Sequence, residues 1–326
     1  MPGKVIGVGS ALVDQLAYVP EVFLSTVAGA KGGMELVDHS LMRSIISRLP
    51  DFPALAPGGS AANTAVGVAR LGAPAGLLAK VGRDEDGEYY ISAARAAGVC
   101  PKAFKRCDVE PTGKCLSLIT PDSERTMRTF LGAAGTLLPV DVTTADFAGY
   151  DVVHIEGYLL FNPELIKWVL VRAREAGAKI SLDLASPEVV RAGGQELRAL
   201  VREYVDYLFA NEEEAREYTG TADEEAGLRA LADDVDLAAL KVGPRGAWVS
   251  HRGKTARIQA ETVQAVDTTG AGDSWAAGFL YGLGEGMDID QAGHAGAMVS
   301  AEVVQVTGAA LPDQTWKNLK EAIDTL

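Results

Sequence analysis

Cysteine, histidine and aromatic side chains are scarce in this chain. Among 326 residues there are three Cys, four His and only 6% Phe, Trp or Tyr. Cys100, Cys107 and Cys115 are odd in number and lack metal-ligand spacing, which fits reduced thiols without a catalytic duty in a cytosolic protein. His39, His154, His251 and His294 are scattered, so neither a zinc site nor a His-based nucleophile is expected. Positive charge is also short: 30 Lys and Arg face 44 Asp and Glu, a formal net charge of −14. That balance argues against a nucleic-acid partner, which needs a basic face. It is no obstacle to phosphate groups held by a divalent cation and backbone amides. No apolar run is long enough to span a bilayer and no signal peptide is visible, so a cytoplasmic location is expected. Two phosphate fingerprints fail as well. Gly113-Lys114 is followed by Cys115 rather than Ser or Thr, and Gly7-Val8-Gly9 lacks the third glycine of a dinucleotide loop.

What the chain has is core. Hydrophobic residues make up 48% of it, and no internal repeat or low-complexity linker divides it, so one domain over 1–326 is expected. Short apolar runs alternate with longer amphipathic stretches. Val5 to Gly9, Val152 to Ile155, Lys179 to Leu184, Tyr207 to Ala210 and Leu237 to Val242 read as strands. Between them Pro163 to Ala176 reads as a helix, with Asn162 as N-cap and Pro163 at the first helical position. Further helices start near Pro187 and Asn211. This rhythm predicts an α/β three-layer sandwich around a mostly parallel sheet.

Two segments, about 12–38 and 110–131, break the rhythm with shorter strand patterns. Cys115 to Thr120 and Arg125 to Phe130 flank Pro121-Asp122-Ser123-Glu124, a good hairpin turn. They predict a small β-rich excursion that serves as a lid over a site or as a dimer contact.

The densest functional signal is Asp267-Thr268-Thr269-Gly270-Ala271-Gly272-Asp273, just ahead of the apolar run Trp275 to Leu280. Small residues opening a helix leave backbone N–H groups unpaired at the positive end of its dipole, which makes an anion site. A carboxylate at Asp273, beside such a site, suits a base placed next to a phosphoryl group in transfer.

That stretch closely resembles the C-terminal signature of the PfkB, or ribokinase-like, carbohydrate and nucleoside kinases. Three more segments match in order. Gly58-Gly59-Ser60-Ala61-Ala62-Asn63-Thr64-Ala65, with Val81-Gly82-Arg83-Asp84-Glu85-Asp86-Gly87 after it, is similar to the N-terminal signature. Asn211-Glu212-Glu213-Glu214 is similar to the Asn-x-x-Glu motif. Lys241-Val242-Gly243-Pro244-Arg245-Gly246-Ala247 is similar to the segment that approaches the nucleotide. The resemblance runs from Val5 to about Pro312.

The resemblance implies a Mg2+-dependent kinase with ATP as donor and a small-molecule acceptor, and neither nucleic acid nor membrane as partner. It implies Asp273 as the base and the amides of Gly270, Ala271 and Gly272 as the anion hole. Asn211 and Glu214 would organise Mg2+ through water, while Lys241, Gly243, Gly246 and Thr268 would line the nucleotide. Asp267 and Thr269, with Gly308 nearby, hold positions that in some relatives support a monovalent cation such as K+. Gly58 and Gly59 would let the backbone approach the acceptor without a Cβ in the way, and Asp14, Ser60 and Asn63 would meet its polar groups. Arg125 and Arg128 lie in the expected lid, where one of them would reach the phosphate on closure. A monomer or a homodimer fits equally.

Several segments lean toward the adenosine kinase branch: Ser60 after Gly59, Pro111 to Cys115, Leu131 to Ala134, Glu156 to Leu159, Leu182 to Pro187 and Thr307 to Pro312. Two positions depart from it. Ser10 stands where that branch often has asparagine, and Leu159 stands where some members set a ring against the purine, with Tyr158, Phe130 and Phe161 as candidates to compensate. The expected acceptor is a nucleoside, adenosine first, phosphorylated on its 5′-hydroxyl. The alternative is a ribokinase- or fructokinase-like enzyme acting on a free sugar or sugar phosphate.

Overall fold

The computed structural model describes residues 3–122 and 124–326. Met1, Pro2 and Ser123, the last within the expected hairpin turn, lie outside the described residues.

Nine strands form the main sheet. Seven run parallel, in the order Leu237–Lys241, Tyr207–Asn211, Lys179–Asp183, Val152–Glu156, Val5–Val8, Ala75–Leu78 and Val99–Cys100. Ala247–His251 and Lys254–Ile258 extend the first edge in antiparallel fashion. The central strands are buried along most of their length because both faces are covered, and they carry a few buried polar groups such as His154 and Ser181 among apolar ones. Val5–Val8 is buried at every position, and so is Leu237–Leu240. One face packs Pro163–Glu175 and Pro187–Tyr204 around Ile155, Ile180 and Leu208. The other packs Ala271–Gly284 and Ile289–Val303 around Phe209, Trp275 and Phe279. Ala271–Gly284 is apolar nearly all round, as a central helix must be. Its Gly278 lies against the backbone of Ala295, so the two helices cross closely.

The second sheet is the expected β-rich excursion, and it is larger than the sequence indicates. Its order is Gly33–Leu36, Arg125–Phe130, Gly113–Ile119, Leu12–Tyr18 and Ala54–Gly58. Arg125–Phe130 and Gly113–Ile119 form the antiparallel hairpin predicted across Pro121 to Glu124. Leu12–Tyr18 joins Gly113–Ile119 in parallel, and Gly33–Leu36 joins Arg125–Phe130 in parallel. Ala54–Gly58, outside the expected lid, adds an edge strand against Leu12–Leu16. Its Pro57 removes a ladder donor, a loss tolerated at a sheet edge. Arg128 is fully buried inside this sheet's core. Its guanidinium donates to the carbonyls of Ala28, Ala30 and Met127. It holds its own sheet's loop, whereas Arg125, three residues earlier, pairs with Asp267 and Thr269. Phe130 stacks on His39, centroids 5.1 Å apart, in the core of this second sheet.

Candidate active site

The carboxyl ends of adjacent parallel strands are where an open α/β sheet gathers ligand groups. Here four neighbouring strands end in Glu156, Asp183, Asn211 and Lys241. The register pairs Glu156 with Asp183 and Asn211 with Lys241, so these residues form a row along the sheet's edge. A cavity of about 550 Å3 is lined by the last three of these, with Ser60, Gly243, Gly246 and Gly270 to Asp273. Residues from all four sequence motifs therefore meet in one place.

Asp273 stands in the first turn of Ala271–Gly284, whose N-cap is Gly270 in the left-handed conformation at φ 74°. A side chain at Gly270 would be strained there, and its Cβ would lie 2.8 Å from the Ala309 methyl. Ser60 Oγ donates to Asp273 Oδ1 at 2.7 Å, and Asn63 Nδ2 donates to Oδ2 at 2.9 Å. Thr64 Oγ1 donates to the Asp273 carbonyl. Ser60 and Asn63, expected on the acceptor, thus orient the carboxylate. Loss of hydration pushes Asp273 up to about 6; the Asn63 hydrogen bond opposes that rise, nearby Asp183 adds to it, and the Ser60 bond and the Lys241 charge oppose it further.

The Ala271 N–H turns back to the Thr268 carbonyl at 3.2 Å, which closes a tight turn, and Thr268 is exposed. The amides of Gly270, Gly272 and Asp273 have no acceptor among the described residues, which leaves them as free donors at this helix N-terminus. Lys241 Nζ lies beside them, 3.0 Å from where a Cβ on Gly272 would stand.

Asn211 and Glu214 form a reciprocal cap at the start of Glu212–Thr219. Glu214 N donates to Asn211 Oδ1, while Asn211 N and Nδ2 each donate to a Glu214 carboxylate oxygen at 2.7 Å. The motif is a capping box whose carboxylate is held fixed and lines the cavity. Burial pushes Glu214 up to about 7, and the neighbouring Asp183 adds to the rise. Among the described residues no three His, Cys, Asp or Glu are grouped to cage a metal ion. The set that faces this cavity is oxygen-rich and anionic (Glu214, Asp183 and Asp273), with one amide oxygen on Asn211. Such a set fits Mg2+ that keeps its waters and takes phosphate oxygens, rather than an ion held in a protein cage.

The residues expected on the acceptor cluster next door. Gly58 leaves room for Asp14: a Cβ there would fall 2.3 Å from the Asp14 carboxyl. No hydrogen bond from the described residues reaches that carboxylate, which burial pushes up to about 7 while Arg125 pulls it down. Gly59 caps Ser60–Arg70 at φ 111°, in contact with the Ser10 carbonyl. A second cavity of about 620 Å3 is lined by Ser10, Leu131, Leu137, Leu159 and Phe161. Tyr158 borders both cavities.

Two residues of this site drew no role from the sequence. Buried Glu156 accepts from Ser10 N at 2.8 Å and Ala61 N at 3.2 Å, joining the first strand's end to the Ser60–Arg70 helix. Asp183 holds Lys241. A lone acid closing an apolar strand is the available signal, and only strand register shows which such acids are neighbours.

A family model for "pfkB family carbohydrate kinase" matches residues 49–316. Ribokinase of Haemophilus influenzae is 30% identical over 264 residues, covering 78% of this chain and 83% of the relative. Adenosine kinase of Saccharomyces cerevisiae is 28% identical, covering 96% and 98%. Among solved structures, adenosine kinase from Sinorhizobium meliloti superposes with a TM-score of 0.88 at 33% identity, covering 99% of this chain and 100% of that one. A probable sugar kinase from Rhizobium etli superposes at 0.89, also at 33% identity, covering 99% of each.

Proposed function

The chain belongs to the PfkB family of carbohydrate kinases, phosphotransferases with an alcohol as acceptor, and from that premise we propose that it transfers the γ-phosphoryl group of ATP to the primary hydroxyl of a nucleoside, adenosine foremost. The observation that carries the acceptor class is the pair of cavities meeting at Tyr158. One carries Asp183, Asn211, Glu214, Lys241 and the Gly270 to Asp273 turn, the groups suited to phosphate. The other sets Leu131, Leu137, Leu159 and Phe161 beside Ser10, Asn162 and Glu164. A free sugar is polar on every side and gains little from an aliphatic wall, whereas a nucleobase buries its faces there. Asp14, with an unpartnered carboxylate beside Gly58, suits the hydroxyls of a ribose.

The chemistry follows from the groups present. Asp273, ionised above its pKa of about 6, accepts the proton of the acceptor hydroxyl. That oxygen attacks the γ-phosphorus as the bond to the β,γ-bridging oxygen breaks, releasing ADP. The amides of Gly270, Gly272 and Asp273 meet the charge on the transferring group. Their donors are fixed before reaction and cost no reorganisation during it. Lys241 adds a full positive charge at the same point. Asn211 and Glu214 would hold Mg2+ through water, and the bound ion would neutralise the donor's phosphate charge.

A sugar acceptor is the second reading, favoured by the ribokinase relative and by the clustering of Asp14, Gly58 and Gly59. An ADP-release assay with Mg-ATP separates the two, run against adenosine, guanosine, inosine, cytidine, ribose, fructose and tagatose 6-phosphate. Turnover confined to nucleosides supports the proposal. Turnover on a sugar with every nucleoside inert overturns the acceptor class and leaves the kinase mechanism standing.

A further inference from the structure

We infer that the Arg125 guanidinium stands in for the monovalent cation at the anion loop, so that this kinase is independent of potassium. The residues in question are Asp267, Thr269 and Gly308, which the sequence offers as supports of such an ion. In the structure they do not present a cation site. Asp267 Oδ1 accepts the Thr269 N–H at 3.0 Å, and Oδ2 accepts the Gly308 N–H at 2.7 Å. Arg125, from the lid strand Arg125–Phe130, adds Nη2 to Asp267 Oδ2 and Nη1 to Thr269 Oγ1. What faces Asp267 is therefore a set of donors carrying one full positive charge. A potassium ion needs acceptor oxygens, and here it would meet a guanidinium already on the same carboxylate.

Burial makes the substitution complete. The Arg125 and Asp267 side chains are 15% and 12% exposed, so solvent ions screen the pair little. Arginine keeps its charge at any working pH, and its planar fork spans the carboxylate and the hydroxyl together. The ion pair fixes Asp267, and Asp267 fixes the Thr269 and Gly308 amides on either side of the turn that opens Ala271–Gly284. A charge supplied by the lid thus does the positioning of the loop. Arg125 acts through Asp267 as a positioning residue, 142 residues away in sequence.

The inference rests on the kinase assignment and is tested with a readout that needs no acceptor. The wild-type protein is melted, and assayed with its best acceptor, in K+, Na+ or tetramethylammonium chloride at one ionic strength. The expected result is the same melting temperature and the same turnover in all three. A saturable rise in melting temperature with K+ alone, or activation by K+ of roughly 5-fold or more, overturns the inference. In the variant Arg125→Gln, which leaves Asp267 without its counter-charge, K+ is expected to raise the melting temperature over tetramethylammonium. Arg125→Lys, which restores the charge, is expected to lose that response. An Arg125→Gln protein indifferent to K+ shows that the pocket never had a cation's role to fill, and also overturns the inference. Failure of the acceptor assignment would change which substrate turns over and leave the melting results untouched.

Discussion

Lys241 Nζ lies 2.6 Å from Asp183 Oδ2, and this ion pair forms the wall of the anion loop. The two side chains are 14% and 6% exposed. Each keeps the other ionised. Burial alone would raise the aspartate, but the Lys241 charge holds it below the usual carboxylate range; burial would lower the lysine, but Asp183 and Glu214 hold it above its ordinary value. The result is a permanent positive charge beside the Gly272 amide. Breaking a buried pair by removing one partner costs about 3–5 kcal/mol, because the other charge is left buried alone. Asp183→Asn is therefore expected to lose stability of that order in urea denaturation. Lys241→Met is expected to lower kcat by roughly 10²-fold, the scale of one lost stabilising group, with acceptor KM little changed. Undiminished turnover in Lys241→Met would remove the lysine from the transfer step.

The base has its own signature. A general base contributes about 10²–10⁴-fold, so Asp273→Asn is expected to lose that much kcat while ATP binding, read by calorimetry, persists. With Asp273 at about 6, the wild-type rate rises with pH through that value as the carboxylate ionises. The Asn63 hydrogen bond favours the ionised form, so Asn63→Ala moves this limb to higher pH. A limb that stays in place in Asn63→Ala would show that another group governs the profile.

Asp14 separates binding from chemistry. Its carboxylate lies next to Gly58, and the proposed function sets it on the acceptor and not on the phosphates. Asp14→Ala is expected to raise acceptor KM by roughly 10-fold or more, the value of about one charge-assisted hydrogen bond, with ATP KM unchanged. Equal effects on both KM values would place Asp14 in general site architecture instead. Gly58→Ala makes the same point from the other side, since its methyl would occupy the space of the Asp14 carboxyl.

How much of this was legible in the sequence depends on the range of the signal. The parallel strands were, because double-sided burial writes continuous apolar runs such as Val5 to Val8. The anion loop was, because glycines and flanking Asp residues are adjacent in the chain. The lid's fifth strand, Ala54–Gly58, was not: it is exposed or half-buried over most of its length, and Pro57 reads as a breaker. Nor was the partition of the two lid arginines, since only strand pairing turns Arg128 into the lid core and Arg125 toward Asp267. The row of Glu156, Asp183, Asn211 and Lys241 is a property of register, and each residue alone carries no sign of it.

The buried carboxylates around this site predict an unusual pH dependence of stability. Asp14, Glu156 and Glu214 are pushed up to about 7, chiefly by burial. Between about pH 4 and 7 the folded chain therefore holds protons that the unfolded chain, with ordinary carboxylates, has released. Linkage then requires stability to fall as pH rises through that window. His154 works in the opposite sense below about pH 6.5, because burial holds it at about 4 and the unfolded chain gains its proton first. Above pH 6.5 the carboxylates act without that opposition. The ligand-free protein is thus expected to melt at a lower temperature at pH 8 than at pH 6.5. Glu156→Gln, which has no proton to lose, is expected to flatten the slope between those two values. A melting temperature that climbs from pH 6.5 to pH 8, or a slope unchanged in Glu156→Gln, would show that these carboxylates are ionised in the fold.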